Sequence, residues 1–131
     1  MAKKKLMQPG PRRFFALVAF GTAVLFFTVA AASAHAVLLE SNPPAKSTVA
    51  GPDLAIKLRF NVRIDAGRSR LTLVNSAGSV QPLEISKETP ADTLAASASG
   101  LAAGEYRIRW QVLASDGHIT RGEIPFTVAR A

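Results

Sequence analysis

Between residues 105 and 112 the chain alternates without a break: Tyr106, Ile108, Trp110 and Val112 are apolar, while Glu105, Arg107, Arg109 and Gln111 are polar or charged. Period-two alternation of this kind belongs to a strand with one buried face, because a helix brings side chains back to one face about every 3.6 residues. A second such run sets Leu54, Ile56, Leu58 and Phe60 against Ala55, Lys57, Arg59 and Asn61. A third places Ile124, Phe126 and Val128 on one face near the end of the chain. Between these lie weaker segments: 35–41, stopped by Asn42-Pro43-Pro44; 69–74, with Leu71 and Leu73 on one side; 80–85, interrupted by Pro82; and 93–99, an Ala/Ser alternation that suits a thin strand or an irregular crossing equally. Asp65-Ala66-Gly67, residues 75–78 and Asp116-Gly117 supply turn residues between the runs. No stretch has the period of an amphipathic helix. Seven short strands with turns at this spacing predict an all-β, Greek-key sandwich or small barrel, with Trp110 and Tyr106 on the packed face.

The chain has 131 residues and a formal net charge of +7, but the charge is unevenly placed. Lys3, Lys4, Lys5, Arg12 and Arg13 precede an apolar run over residues 14–34, which ends in Ala32-Ser33-Ala34. A basic start, an apolar middle and a small-residue end are the layout of a secretory signal, cut before His35. The same run is long enough to span a bilayer if it were kept. Removing five of the 16 basic residues leaves 11 against 9 acidic ones, a net +2. The basic balance is therefore a property of the leader, and nucleic-acid binding is not indicated. Residues 35–131 make one domain of a size that has a marginal surface-to-volume ratio. The chain contains no cysteine, so no disulfide supports it after secretion. Both methionines, Met1 and Met7, fall in the leader and leave the mature domain without a sulfur ligand.

The candidate chemistry lies in two histidines, the only ones in the sequence. His35 would become the first residue of the cleaved chain and carry the free α-amine. His118 stands two residues past Asp116, across Gly117. Taken alone, Asp-Gly between two alternating runs is a hairpin turn in which glycine takes a positive φ. Taken with His35, the same turn offers one imidazole and one carboxylate to join a terminal amine and its imidazole. Such nitrogen and oxygen donors suit Cu(II) first and Ni(II) second; zinc prefers a tetrahedron, and calcium or magnesium an oxygen cage. The amine, whose pKa is about 7.7–8.0 when free, and both imidazoles must be deprotonated to bind, so affinity should fall with pH.

The start His35-Ala-Val-Leu-Leu-Glu-Ser-Asn-Pro-Pro-Ala45 resembles that of the CopC-type periplasmic copper-binding proteins. So does the ending, from Gly104, Tyr106, Ile108, Trp110 and Val112 through Ser115-Asp116-Gly117-His118 to Gly122, Phe126 and Val128. The resemblance covers nearly all of residues 35–131. It implies a cupredoxin-like or immunoglobulin-like seven-stranded β-fold, Cu(II) binding in the periplasm, and a role in copper resistance, homeostasis or delivery beside a CopD-type inner-membrane protein. Carried over by position, the metal ligands would be His35 through amine and ring, Asp116 and His118. Some members carry a methionine-rich Cu(I) site, which this domain lacks the residues to build, so a single Cu(II) site is expected in a monomer. Some also have a glutamate shortly after the phenylalanine that ends the second strand; here Phe60 is followed by Asn61 and Val62, leaving Asp116 as the carboxylate of the site.

Two other readings use the same residues. A terminal-histidine copper brace also occurs in polysaccharide monooxygenases, but a domain this small and poor in aromatics has little room for a substrate face. A metal-free immunoglobulin-like interaction module would leave the histidine placement as coincidence. No G-x-S-x-G elbow or spare histidine supports a hydrolase, and no catalytic residue is assigned.

Overall fold

The computed structural model describes residues 35–130, so the proposed leader over 1–34 lies outside the described residues. The described chain forms eight strands and one 3-10 turn, Ala66–Arg68. Three strands, β1 (Leu38–Asn42), β3 (Leu54–Phe60) and β6 (Thr93–Ala98), form one antiparallel sheet in the order β1-β3-β6. The other five, β2 (Ser47–Val49), β4 (Arg70–Asn75), β5 (Val80–Leu83), β7 (Gly104–Leu113) and β8 (Ile119–Val128), form the second sheet in the order β2-β8-β7-β4-β5.

The all-β sandwich expected from the alternation is present, with one strand more than the seven predicted. The added strand, β2, is three residues long and pairs in parallel with the far half of β8. Three residues are too few for an alternation to register, and their partner lies about eighty residues away in sequence. The ambiguous Ala/Ser segment is a strand at the edge of the smaller sheet, with Thr93, Leu94 and Ala98 turned into the core. Pro82 is accommodated because β5 is also an edge strand, where a missing N–H removes no ladder bond.

The inward faces of the sheets meet as the sequence pattern requires. Ile56, Leu58 and Phe60 from β3 pack with Ile108, Trp110 and Val112 from β7 and with Ile124, Phe126 and Val128 from β8 in one buried cluster. Trp110 meets Phe60 edge to face at 5.2 Å between ring centroids, bringing the two sheets together at an aromatic pair. On β8, Gly122 stands directly opposite Trp110, and a Cβ at that position would come within 2.3 Å of the indole. Glycine is needed there because the tryptophan ring fills the space of a side chain. Tyr106, at the start of β7, stacks on Phe126 and donates its hydroxyl to the Ala102 carbonyl at 2.7 Å, four residues back. That is the arrangement of the tyrosine corner in immunoglobulin-like sandwiches.

The pairing of β7 with β8 runs ten residues, from Gly104 opposite Val128 to Leu113 opposite Ile119. This long hairpin carries its connecting loop, residues 114–118, to one end of the sandwich. The β1–β3 pair delivers residues 35–37 to the same end, since Leu38 lies opposite Phe60 and Asn61 bonds to Val37.

Candidate metal centre

The loop between β7 and β8 is a hairpin closed by backbone geometry. The Gly117 N–H donates to the Ala114 carbonyl at 2.9 Å, the Ala114 N–H donates to the His118 carbonyl at 2.9 Å, and Gly117 has φ +86°. A turn followed by a residue in the left-handed region is the common three-residue hairpin, and glycine meets that requirement without steric cost. The adjacent segment supports the loop from the side: Ser115 N–H donates to Arg63 O, Asp65 N–H to Leu113 O, and Ile64 bridges Ala114. The turn is therefore fixed at its base on two sides.

Asp116 turns its carboxylate back onto His118. One oxygen accepts the His118 backbone N–H at 3.0 Å, and the other lies 3.0 Å from His118 Nδ1. The backbone N–H first, and the imidazole second, hold the Asp116 carboxyl below the usual carboxylate range, against a smaller opposing effect of desolvation. The contact has a consequence for the ring. A carboxylate on Nδ1 selects the tautomer with the proton on that nitrogen and leaves the Nε2 lone pair outward for a metal.

His35 approaches from the other sheet. Its ring meets that of His118 edge on, with centroids 5.2 Å apart and planes at 66°. One ligand atom from each of His35, Asp116 and His118 lies within 4.8 Å of the other two, and all three residues are exposed. Donors bound to one ion at about 2.0–2.1 Å stand at most about 4.2 Å apart. The spread of 4.8 Å is close to that limit, so the three residues stand near enough to surround one ion. The three residues singled out in the sequence are thus brought together, although 83 positions separate the two histidines.

Asn61 is the residue that sequence reasoning missed. In the sequence it registers only as one of the two residues after Phe60 that carry no carboxylate. In the structure its side-chain carbonyl accepts the Val37 N–H at 2.7 Å, and its own N–H donates to the Val37 carbonyl at 3.0 Å. Ala36, 3% exposed, is set into the core beside this two-point contact. His35 thus extends from a backbone fixed one and two residues away. Replacing Asn61 with alanine should lower copper affinity by about 10–100-fold, the range for loss of a group that orients a ligand. Asn61→Asp, which keeps the acceptor, should restore most of it. Competition titration against a chromophoric chelator reads both, and equal affinity in the alanine variant would remove Asn61 from this role.

Residues 38–129 match the family model for the CopC domain. The chain belongs to the CopC family. Asp116 and His118 fall inside the matched span, and His35 lies three residues before it. Copper resistance protein C of Escherichia coli is 32% identical over 106 residues, which cover 74% of this chain and 83% of that protein. The crystal structure of CopC from Methylosinus trichosporium OB3b superposes with a TM-score of 0.66 at 32% identity, over 72% of this chain and 93% of that one. The copper transport protein CutJ of Bacillus subtilis is 26% identical over 110 residues, 82% of this chain but 20% of CutJ, so the chain spans about a fifth of that relative's length. The CopC structure thus shares the β-sandwich fold described above.

Proposed function

We propose that this CopC-family protein binds copper and holds it as Cu(II) in a single site made by His35, Asp116 and His118. The reading continues to localisation: cleavage before His35 delivers residues 35–131 to the periplasm as a monomeric copper carrier or buffer. The observation that carries it is the convergence of two imidazoles and a carboxylate on one exposed point, in a family whose named relatives are copper resistance and copper transport proteins. The donors are of nitrogen and oxygen type, the set that Cu(II) favours over other divalent first-row ions. Each residue has a separate task. His35 supplies its imidazole and, once it is the terminus, the α-amine. His118 supplies Nε2, and Asp116 orients the His118 ring through Nδ1 and adds charge beside the ion.

The exposure of all three residues favours exchange over storage, because a partner can reach the ion without opening the fold. A CopD-type inner-membrane protein is the partner we propose for that exchange. No catalytic step is assigned. One equivalent of Cu(II) added to the secreted protein should give a tetragonal, nitrogen-rich type 2 EPR spectrum that saturates at one ion per chain. Absence of stoichiometric binding would defeat the proposal. Copper-dependent oxygen consumption on a polysaccharide would move it to the oxidative-enzyme reading.

A further inference from the structure

The two halves of the metal centre belong to different sheets, yet one stretch of chain touches both. Residues 61–69 connect β3 to β4 and so cross from the three-stranded sheet to the five-stranded one. At the start of this connection Asn61 holds Val37, two residues from His35, through both of its hydrogen bonds. Further on, the Arg63 carbonyl accepts the Ser115 N–H at 3.0 Å, Ile64 bridges Ala114, and the Asp65 N–H donates to the Leu113 carbonyl at 2.9 Å. Ser115 directly precedes Asp116. The hydrogen-bonded path from Val37 to Ser115 therefore runs through Asn61, Val62 and Arg63 alone, and not through the body of the sandwich.

A serine keeps this connection against β7. The pairing of β4 with β7 reaches only to Arg70 opposite Gln111, so the ladder stops two residues short of Leu113. There the Ser69 hydroxyl replaces the strand: it accepts the Leu113 N–H at 3.3 Å and donates to the Asp65 carbonyl at 2.6 Å. Both backbone groups of Leu113 thus end on the connection, the N–H on Ser69 and the carbonyl on Asp65. The 3-10 turn over Ala66–Arg68 makes this possible by folding the chain so that Ser69 reaches back to Asp65. Ser69 is 8% exposed and is one of two buried polar residues among the described residues. A buried hydroxyl that gives one bond and receives another cannot be removed without stranding its partners.

We infer that residues 61–69 are a brace that fixes the two halves of the metal centre relative to one another, and that Ser69 is the positioning residue that locks the brace to β7. The inference rests on the reading of His35, Asp116 and His118 as the copper ligands. Ser69 touches none of them; it acts through Asp65 and Leu113 on the base of the loop that carries Asp116 and His118. All three ligand residues are exposed, so the site takes its geometry chiefly from backbone anchors and little from packing around its side chains.

The test compares the secreted protein with Ser69→Ala and Ser69→Thr. The alanine variant should bind Cu(II) about tenfold more weakly, with an altered EPR spectrum. In its metal-free form the NMR cross-relaxation between the His35 and His118 rings, 5.2 Å apart between centroids, should fall. Threonine keeps the hydroxyl, and the extended backbone at this position (φ −102°, ψ 161°) suits a β-branched residue, so Ser69→Thr should restore all three readouts. Val128→Ala removes core volume opposite Gly104, at the far end of the β7–β8 hairpin. It should lower the melting temperature and leave affinity, spectrum and ring contact unchanged. Equal changes in Ser69→Ala and Val128→Ala would reduce the effect to lost stability and overturn the inference, as would no change in Ser69→Ala. Combining Asn61→Ala with Ser69→Ala should cost less than the product of the two separate losses, since either cut frees the same brace; losses that multiply would mean two independent anchors and no brace. Amide exchange of the unaltered, metal-free protein supplies a test without variants: the Val37, Asp65 and Ser115 N–H groups should open as one cooperative unit. Unequal openings at Val37 and Ser115 would overturn the inference even if Ser69→Ala does not fold. If the unaltered protein takes up no copper, the copper reading fails, and the ring contact and amide exchange still decide whether the brace exists.

Discussion

His118→Ala should abolish tight copper binding while leaving the sandwich intact. The loss should exceed the roughly 10–100-fold that follows removal of an orienting group, because an imidazole donor itself is lost. It also leaves Asp116 without the ring that it positions, although its carboxylate still accepts the backbone N–H of residue 118. The fold should be unaffected, since the His118 side chain is 61% exposed and the turn is closed by backbone bonds and Gly117 rather than by the imidazole. Titration with Cu(II), read by EPR beside a thermal melt, separates the two effects. Unchanged affinity would remove His118 from the site. A collapsed melt would show that the loop, and not the metal, needs the ring. His118→Gln gives a check of similar size that keeps a polar side chain and should lose copper as the alanine variant does.

How much of this could be read beforehand depended on the range of the interaction. β3, β7 and β8 were legible because their burial alternates with period two, and a local pattern records that directly. The hairpin at Asp116-Gly117-His118 was legible for the same reason, since the demand for a positive φ falls on a single glycine. β2 was not, because a three-residue parallel strand is specified by its partner and not by its own residues. The fit of Trp110 over Gly122 was equally hidden, as it depends on a cross-strand register.

The site divides along the same line. Its chemistry could be inferred from a count of two histidines and an expected terminus at His35, whereas its geometry could not. His35 reaches His118 only because β1 pairs with β3 in one sheet while the β7–β8 hairpin extends from the other. Asn61 shows the limit most clearly. It acts through a backbone contact 24 residues away, and nothing near it in sequence announces that. In the sequence it marks only the lack of a carboxylate after Phe60, whereas its side chain holds the backbone that carries His35.

Blocking the amine of His35 should weaken copper binding about as severely as removing His118. A mature chain that begins at His35 offers amine and ring from one residue, closing a chelate in which the second donor binds at high effective concentration. A chain that keeps Ala34 before His35 turns that amine into a peptide N–H, and the imidazole must bind alone. The free amine, with a pKa of about 7.7–8.0, gives up its proton to a metal near neutral pH, whereas an amide N–H does not do so readily. Intact mass of the secreted protein should correspond to residues 35–131. Acetylating its terminus, or retaining Ala34, should then shift the EPR spectrum to one fewer nitrogen and lower the affinity by well over tenfold. The Asn61 contact and the His35–His118 ring contact involve neither the amine nor Ala34, so both should persist in the blocked protein. An unchanged spectrum after blocking would show a site built from side chains only, ready before any cleavage. A changed one would mean that the leader peptidase completes the metal site, so that the chain cannot hold copper tightly until it has been exported.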